Sequence, residues 1–475
     1  MRIFDTNVQE IKYQVLKEVV KLANKDKLND AYYEIPRKII PEDYPTTRCC
    51  IYKTRAIVEE RTRMALGGDR TNPNVVETIS VACDQCREQK YEVSTLCRGC
   101  VSHPCQDVCK FGAISFKNNR AYIDPEHCKE CGKCKSVCPY GAILEHICPC
   151  MVSCKVKAIS INDKNKAEID NNKCVMCGAC VYNCPFGAIV DKSYIVDVVE
   201  MLKNSNNNRI YKVYAMIAPA IVSQFKYAKI GQIVNGIKKI GFADVIEVAM
   251  GADVVLYNEA QELKEKGRLT TSCCPSFVMT IEKHFPKVKE FMSHNPSPMI
   301  ETAKFIKKTD PDCKVVFVGP CISKKYEAKR TENDDIVDAV ITFEELQALL
   351  DGNGVAIENL EEAPLNNGSY FGRIFAKSGG LTEGAAKLLA ESDPDFVVNP
   401  LVLNGLEECK LGLLKFDKKL IPNNFLEGMA CVGGCMNGAG CLHHGEKNVL
   451  DVDKYGREAK ETTVESSVNL FNLYK

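Results

Sequence analysis

The chain has 475 residues, 45% of them hydrophobic, enough to build two or three domains with cores of their own. Basic and acidic residues balance at 62 each, so the net charge is zero and nothing favours nucleic acid or another polyanion. The opening MRIFDTNVQEIKYQVLKEVV has early acids and no apolar signal core, and nowhere do about 18 apolar residues run together, so a soluble, cytoplasmic protein with no membrane contact is expected.

Residues 1–80 read as a helical segment. Ile11, Val15, Val19, Val20 and Leu22 are spaced for one buried helix face, and a second helix is expected over 56–66. The segment has the character of a cap or docking collar. The adjacent pair Cys49 and Cys50 is suited to a structural role, since neighbouring cysteines rarely ligate one cluster together.

Residues 81–195 change character, with seventeen cysteines between Cys83 and Cys184. Cysteines in tight C-x2-C runs, without a signal peptide, read as metal ligands. Two runs, Cys128, Cys131, Cys134, Cys138 and Cys174, Cys177, Cys180, Cys184, have the bacterial ferredoxin spacing, each ending in Cys-Pro. In that spacing three cysteines hold one 4Fe-4S cluster and the fourth crosses to a neighbour, whereas zinc gains nothing from the crossover. A third run, Cys97, Cys100, Cys105, Cys109, has a lengthened loop. The crossover rule then builds one cubane from Cys97, Cys100, Cys105 and Cys138 and another from Cys128, Cys131, Cys134 and Cys109.

The fourth run is split. Cys150-x3-Cys154 lacks a C-x2-C just before it, and Cys83-x2-Cys86 is the unpaired donor. Joining them gives a cubane of Cys83, Cys86, Cys150 and Cys184, with Cys174, Cys177, Cys180 and Cys154 holding its partner, so four accessory clusters are expected, two of them on unambiguous runs. Cys148 is left without a role or displaces one of these. The alternative is a zinc ribbon of Cys83, Cys86, Cys97 and Cys100.

After a polar link at 203–209, residues 210–475 alternate strand and helix. YKVYAMIAP, DVIEVAM, LTTS, KVVFVGP, IVDAVITF and PLVLNG read as strands, with helices over 229–240 and through 259–263. Such alternation argues for parallel sheets covered by helices, with ligand sites at the strand ends. Three cysteine-bearing stretches lie there: TSCCPSF at 271–277, GPCISKKYE at 319–327 and EGMACVGGCMNGAG at 427–440. The glycines of the last are suited to close approach of backbone to a bulky object, and thiolates suit iron or zinc.

In this order the three stretches resemble the signatures of FeFe-hydrogenases, and with the cysteine-rich region the likeness covers nearly the whole chain. It is closest to the monomeric clostridial enzymes called group B. The resemblance implies α/β plus α+β architecture: a two-lobed α/β catalytic domain with parallel sheets, preceded by ferredoxin-like iron-sulfur domains and the helical segment. It implies that Cys274, Cys321, Cys431 and Cys435 hold a 4Fe-4S cubane, with Cys435 bridging to a two-iron unit that carries carbonyl, cyanide and azadithiolate. Cys273 matches the relay thiol, followed outward by Glu259, Ser293 and Glu262; Lys324 matches a lysine that donates to cyanide, and Met429 one that packs on the diiron unit.

The implied activity is 2 H+ + 2 e- in equilibrium with H2. Ferredoxin or a similar carrier is the implied electron partner, and maturation proteins supply the diiron unit. Alternatives are a hydrogen or redox sensor, or an iron-sulfur electron-transfer or assembly protein without the diiron unit. Cys313, Cys409 and Cys441 match no ligand position and read as structural. Phe277, Gly319, Ala220 and the GAGCL ending depart from the family pattern, all expected near the cluster, where they bear on its potential and hydrogen bonding.

Overall fold

The computed structural model describes residues 3–470 apart from 42–43, 45–46 and 87–88. The first helix, Asn7–Asn24, is set by a capping box: the Gln9 amide donates to the Thr6 hydroxyl and the Thr6 amide to the Gln9 side chain, both at 3.2 Å. Val15, Leu16, Val19 and Val20 are buried against the helix Phe343–Gly352, in one core with residues of 213–218 and 315–318. Burial on that scale contributes roughly 1.5–3 kcal/mol per side chain, which fixes the segment to the C-terminal part of the chain. Ile11 and Leu22, expected on the buried face, are only partly covered, and Lys12 is buried instead. Its ammonium is sealed in by carboxylates, a pairing that hydrophobic spacing does not show. A second long helix spans Ile51–Ala65, with Cys50 at its N-cap. Cys49 is exposed, and both are free thiols.

Eight short strands organise the cysteine-rich region: β1 (Val76–Thr78), β2 (Tyr91–Val93), β3 (Ile114–Lys117), β4 (Arg120–Ile123), β5 (Ile143–Glu145), β6 (Ile159–Ile161), β7 (Ala167–Ile169) and β8 (Ile189–Asp191). All pair antiparallel, β1 with β8, β2 with β5, β3 with β4 and β6 with β7. The pairing is nested. β2 and β5 close an inner module around the β3–β4 hairpin, and β1 and β8 close an outer module that contains it. The inner module is therefore an insertion, and the split fourth run is what an insertion leaves behind. The outer module starts at β1, just before the boundary at residue 81, because Val76 pairs with Asp191 across the sheet.

The remainder forms two parallel sheets. β9 (Val213–Ile217) and β10 (Asp244–Glu247) belong to the first, β11 (Leu269–Thr270) to the second, β12 (Lys314–Gly319) and β13 (Ala339–Thr342) to the first, and β14 (Pro400–Asn404) and β15 (Phe425–Met429) to the second. The orders are β10-β9-β12-β13 and β11-β15-β14. Central β9, β12 and β15 are almost wholly apolar and buried, as strands covered on both faces must be. The DVIEVAM strand ends at Glu247, and Ala249 already opens the helix Ala249–Lys266. The polar link at 203–209 begins inside the helix Ile195–Asn204.

The cysteine-rich modules and the two-sheet body meet at a buried charge cluster. Lys12 Nζ lies 2.6 Å from both Asp191 and Glu344, and Lys325 Nζ lies 2.8 Å from Asp191 and 2.7 Å from Glu345. Lys325 also donates to the Lys192 carbonyl at 2.8 Å, and Gln9 to Glu344 at 3.0 Å. One residue of β8, Asp191, thus ties the first helix to the segment that follows Cys321.

Candidate active site

The three signature stretches converge at the C-terminal ends of both sheets. Cys274 follows β11 and caps the helix Pro275–His284, Cys321 follows β12, and Cys431 and Cys435 follow β15. Together they line one cavity of about 90 Å³ with Cys273, Met429 and Lys324. Thiols of Cys274, Cys321, Cys431 and Cys435 face one another, and Cys177 of the iron-sulfur region reaches Cys274 and Cys431 from behind.

Other walls of the cavity are proline, alanine, glycine, valine, methionine and phenylalanine, and Lys324 is the single charged side chain among the described lining residues. Four soft donors, apolar walls and one ammonium suit an anionic, weakly hydrated metal-sulfur group. Burial pushes the bare Cys321 thiol up to about 11 and that of Cys435 up to about 12, so loading a cluster must release protons. Lys324 pairs with Glu327 at 2.6 Å and donates to the Cys273 carbonyl at 3.2 Å. An ammonium has three protons, so one remains for a ligand in the cavity.

Two glycines of the 427–440 stretch, Gly434 and Gly438, line the cavity, and both also lie hard against backbone of neighbouring segments. A Cβ on Gly434 would lie 2.5 Å from the Ala376 carbonyl oxygen, and one on Gly438 would lie 2.4 Å from that of Pro320. Gly434 also has φ of 103°. The close approach they permit is between backbone segments, holding the two-cysteine loop against both lobes.

Beside the cavity, Glu259 lies on the inner face of Ala249–Lys266, fully buried. Its Oε1 accepts from the Ser272 amide at 3.0 Å and the Ser272 hydroxyl at 3.1 Å. Burial pushes this carboxyl up to about 7, and the Ser272 bonds offset only part of that. Cys273 is raised well above the usual thiol range by burial and by the facing Glu259. Ser293 stands next, donating to Glu262 at 2.8 Å. Burial works against ionisation of Glu262, but hydrogen bonds from Lys266 and Ser293 prevail and lower its pKa.

Sequence reasoning passed over three neighbours. Ser272, inside TSCCP, holds Glu259 in place. Glu427, fully buried, accepts from the Gly379 and Thr382 amides at 2.7 and 2.8 Å and so fixes β15 to the helix Gly380–Ser392. Phe317 lines the cavity: its ring lies 2.5 Å from where a Gly319 Cβ would be. Gly319, Ala220 and Phe277 themselves do not line it. Phe277 packs behind the wall, on Gly428. Cys313, Cys409 and Cys441 are buried and outside the cavity; the Cys441 thiol donates to the Met436 carbonyl at 3.3 Å.

In the iron-sulfur region Cys174, Cys177, Cys180 and Cys154 gather in one group and Cys128, Cys131 and Cys134 in another. Cys105 faces Cys100 and Cys138, and Cys97 and Cys109 pack in the same inner core. Cys83 and Cys86 join Cys148, Cys150 and Cys184, away from Cys97 and Cys100, which separates the two halves of the zinc-ribbon alternative. Cys180 borders Cys150 and Cys177 borders Cys274, so the two groups of the outer module adjoin and lead to the cavity.

A family model for the iron only hydrogenase large subunit, C-terminal domain, matches residues 211–439, and the 4Fe-4S binding domain matches 121–144 and 167–190. Iron hydrogenase 1 of Clostridium pasteurianum is 30% identical over 315 residues, 54% of this chain and 54% of that protein, so the match spans about half of the relative's length. The cytosolic Fe-S cluster assembly factor NAR1 of Kluyveromyces lactis is 39% identical over 87 residues, 18% of this chain and 19% of that protein. A solved [FeFe]-hydrogenase, studied for oxygen inactivation at its H cluster 2Fe subcluster, shares the fold with a TM-score of 0.50 at 19% identity, over 59% of this chain and 93% of its own. No helix among the described residues is long and apolar enough to cross a membrane. The domain matches fall on the two ferredoxin runs and on both parallel sheets, so this chain is FeFe-hydrogenase-like and carries 4Fe-4S binding domains.

Proposed function

We propose that the chain interconverts protons and hydrogen, 2 H+ + 2 e- with H2, in the cytoplasm with ferredoxin or a similar carrier as electron partner. What carries the reading is the convergence of Cys274, Cys321, Cys431 and Cys435 on one apolar cavity that also presents Cys273 and Lys324. Those four thiolates would hold a cubane, Cys435 bridging it to a two-iron unit installed by maturation proteins and packed by Met429; when bound, the group supplies the electron storage and the open iron position for hydrogen.

The chain's own residues do the rest. Lys324 would place a positive charge at an anionic ligand, and the apolar walls keep water out. Cys273 would hand a proton to Glu259, whose raised pKa lets it accept and release near neutral pH, and Ser293 and Glu262 continue toward the surface. Electrons would pass along four accessory cubanes, the last of them, on Cys154, Cys174, Cys177 and Cys180, beside Cys274.

The likeness to an assembly factor favours a second reading, an iron-sulfur protein without the diiron unit. The matured protein and its Cys273→Ala variant separate the two by hydrogen evolution with a reduced carrier: turnover in the parent and loss of about 100-fold or more in the variant support the enzyme. Negligible turnover in both, with the cubanes intact, would overturn it.

A further inference from the structure

The two iron-sulfur modules repeat each other position by position. Cys97 accepts the Ala121 amide of β4 at 3.4 Å, and Cys83 accepts the Ala167 amide of β7 at 3.3 Å. Cys138 accepts from Ala142 at 3.4 Å and Cys184 from Ala188 at 3.3 Å; Cys128 accepts from Glu130 and Cys174 from Met176, both at 3.4 Å. Short helices Pro104–Asp107 and Pro149–Ser153 open with the same order of residues, a cap residue, a proline and then a buried cysteine, although His103 is left-handed at φ 41° and Cys148 is extended at φ −63°. In this repeat Cys83, Cys86, Cys150 and Cys184 correspond to Cys97, Cys100, Cys105 and Cys138. Cys148 corresponds to His103, which is not a thiol and stacks on Phe116 with ring centroids 3.7 Å apart.

The outer module therefore has one sulfur more than its counterpart. Cys148 does not point away: its thiol lies beside Cys86 and near Cys150, so a fifth sulfur adjoins the four that a cubane would take. None of the five is in a disulfide.

We propose that Cys148 is an alternate ligand of the outer cluster, interchangeable with Cys86. The exchange balances without any redox partner. The iron-sulfur bond to Cys86 breaks, a bond from Cys148 to the same iron forms, and the Cys148 proton passes to the Cys86 thiolate. One cubane then has two complete ligand sets, Cys83, Cys150 and Cys184 with either Cys86 or Cys148.

This inference rests on the reading of that site as a 4Fe-4S cluster, and the test separates the two. Iron and acid-labile sulfide per chain, with low-temperature electron paramagnetic resonance of the reduced protein, are measured for Cys83→Ala, Cys86→Ala, Cys148→Ala and Cys86→Ala/Cys148→Ala. Signals of the other clusters report that each variant is folded. The expected result is parental iron in both Cys86→Ala and Cys148→Ala, and about four irons fewer in the double variant and in Cys83→Ala. Loss of about four irons in Cys86→Ala alone overturns the exchange, and the same loss in Cys148→Ala alone makes Cys148 an obligatory ligand and also overturns it. If Cys83→Ala and the double variant both keep parental iron, no cluster sits there and the underlying reading fails.

Discussion

Asp191 and Glu259 are both carboxylates closed off from water, 1% and 0% exposed, yet they are held in opposite states. Burial alone would raise both. At Asp191 the ammoniums of Lys12 and Lys325 overcome it and hold the carboxyl well below the usual range. At Glu259 only the Ser272 amide and hydroxyl and Ser293 compensate, Glu262 adds repulsion, and the carboxyl rises to about 7. The comparison teaches that what surrounds a buried acid, more than its burial, decides whether it is a fixed charge or a proton carrier. Asp191 is placed to fasten the cysteine-rich modules to the two-sheet body. Glu259, in the proposed function, takes a proton from the facing Cys273.

The largest effect is expected from removing a lysine of the fastening. Lys325→Met leaves Asp191 and Glu345 facing each other's charge in a dry site, with Lys12 as the one remaining cation of the cluster. A cost of about 3–5 kcal/mol is expected, seen as lost hydrogen-exchange protection in Asn7–Asn24 and at β8. Lys325→Met/Asp191→Asn should recover part of it, because the second change removes the stranded charge. An unchanged exchange pattern in the single variant would show that the cluster fastens nothing.

Glu259→Gln tests the other side of the comparison. It keeps the shape and the Ser272 bonds but cannot pass a proton, so hydrogen turnover should fall about 100-fold or more while iron content and thermal midpoint stay at parental values. A variant as active as the parent would remove Glu259 from the relay.

Their pH dependences should run in opposite directions. Glu259 has a raised pKa, so stability falls as pH rises from about 4 to 7, because the unfolded carboxyl ionises there while the buried one stays protonated. Infrared difference spectra should show its carbonyl band fading with a midpoint near 7, and the band should be missing in Glu259→Gln. Asp191 has a depressed pKa, so its contribution is complete above the unfolded value of about 3.9 and is lost only as pH falls below it.

How far the sequence reaches differs between these sites for a physical reason. Glu259 was picked out because NEAQEL matches a stretch of the family, and the cavity cysteines because their three stretches match its signatures and follow apolar strand runs. The cluster around Asp191 was not. Its five charged members come from four separate elements, and Lys12 sits where helical spacing leaves a polar position. The insertion of one iron-sulfur module in the other was visible only as its scar, the missing C-x2-C before Cys150; pairing of β1 with β8 around β2 and β5 supplies the cause. Phe317 escaped notice because a phenylalanine in a buried strand reads as core, and only the absent Gly319 side chain lets its ring turn to the cavity wall.

The smallest effect isolates the contribution of water. Glu145 in β5 has Lys135 at 2.8 Å and Lys90 at 3.6 Å, and Tyr91 donates to it at 3.0 Å, so it has two lysine partners just as Asp191 does. Its hydrogen bonds from Lys135 and Tyr91 lower its pKa. The pair differs from Asp191 in exposure: 22% of the Glu145 side chain and about half of that of Lys135 reach solvent. There the dielectric is high, salt screens the attraction, and each lysine recovers its hydration when the partner is lost. Glu145→Gln should therefore leave the thermal midpoint and the inner-module cluster signals indistinguishable from the parent. If it instead destabilises as much as Lys325→Met, the closure of the inner module depends on charge, and the contrast drawn between a dry pair and a wet one does not hold for this protein.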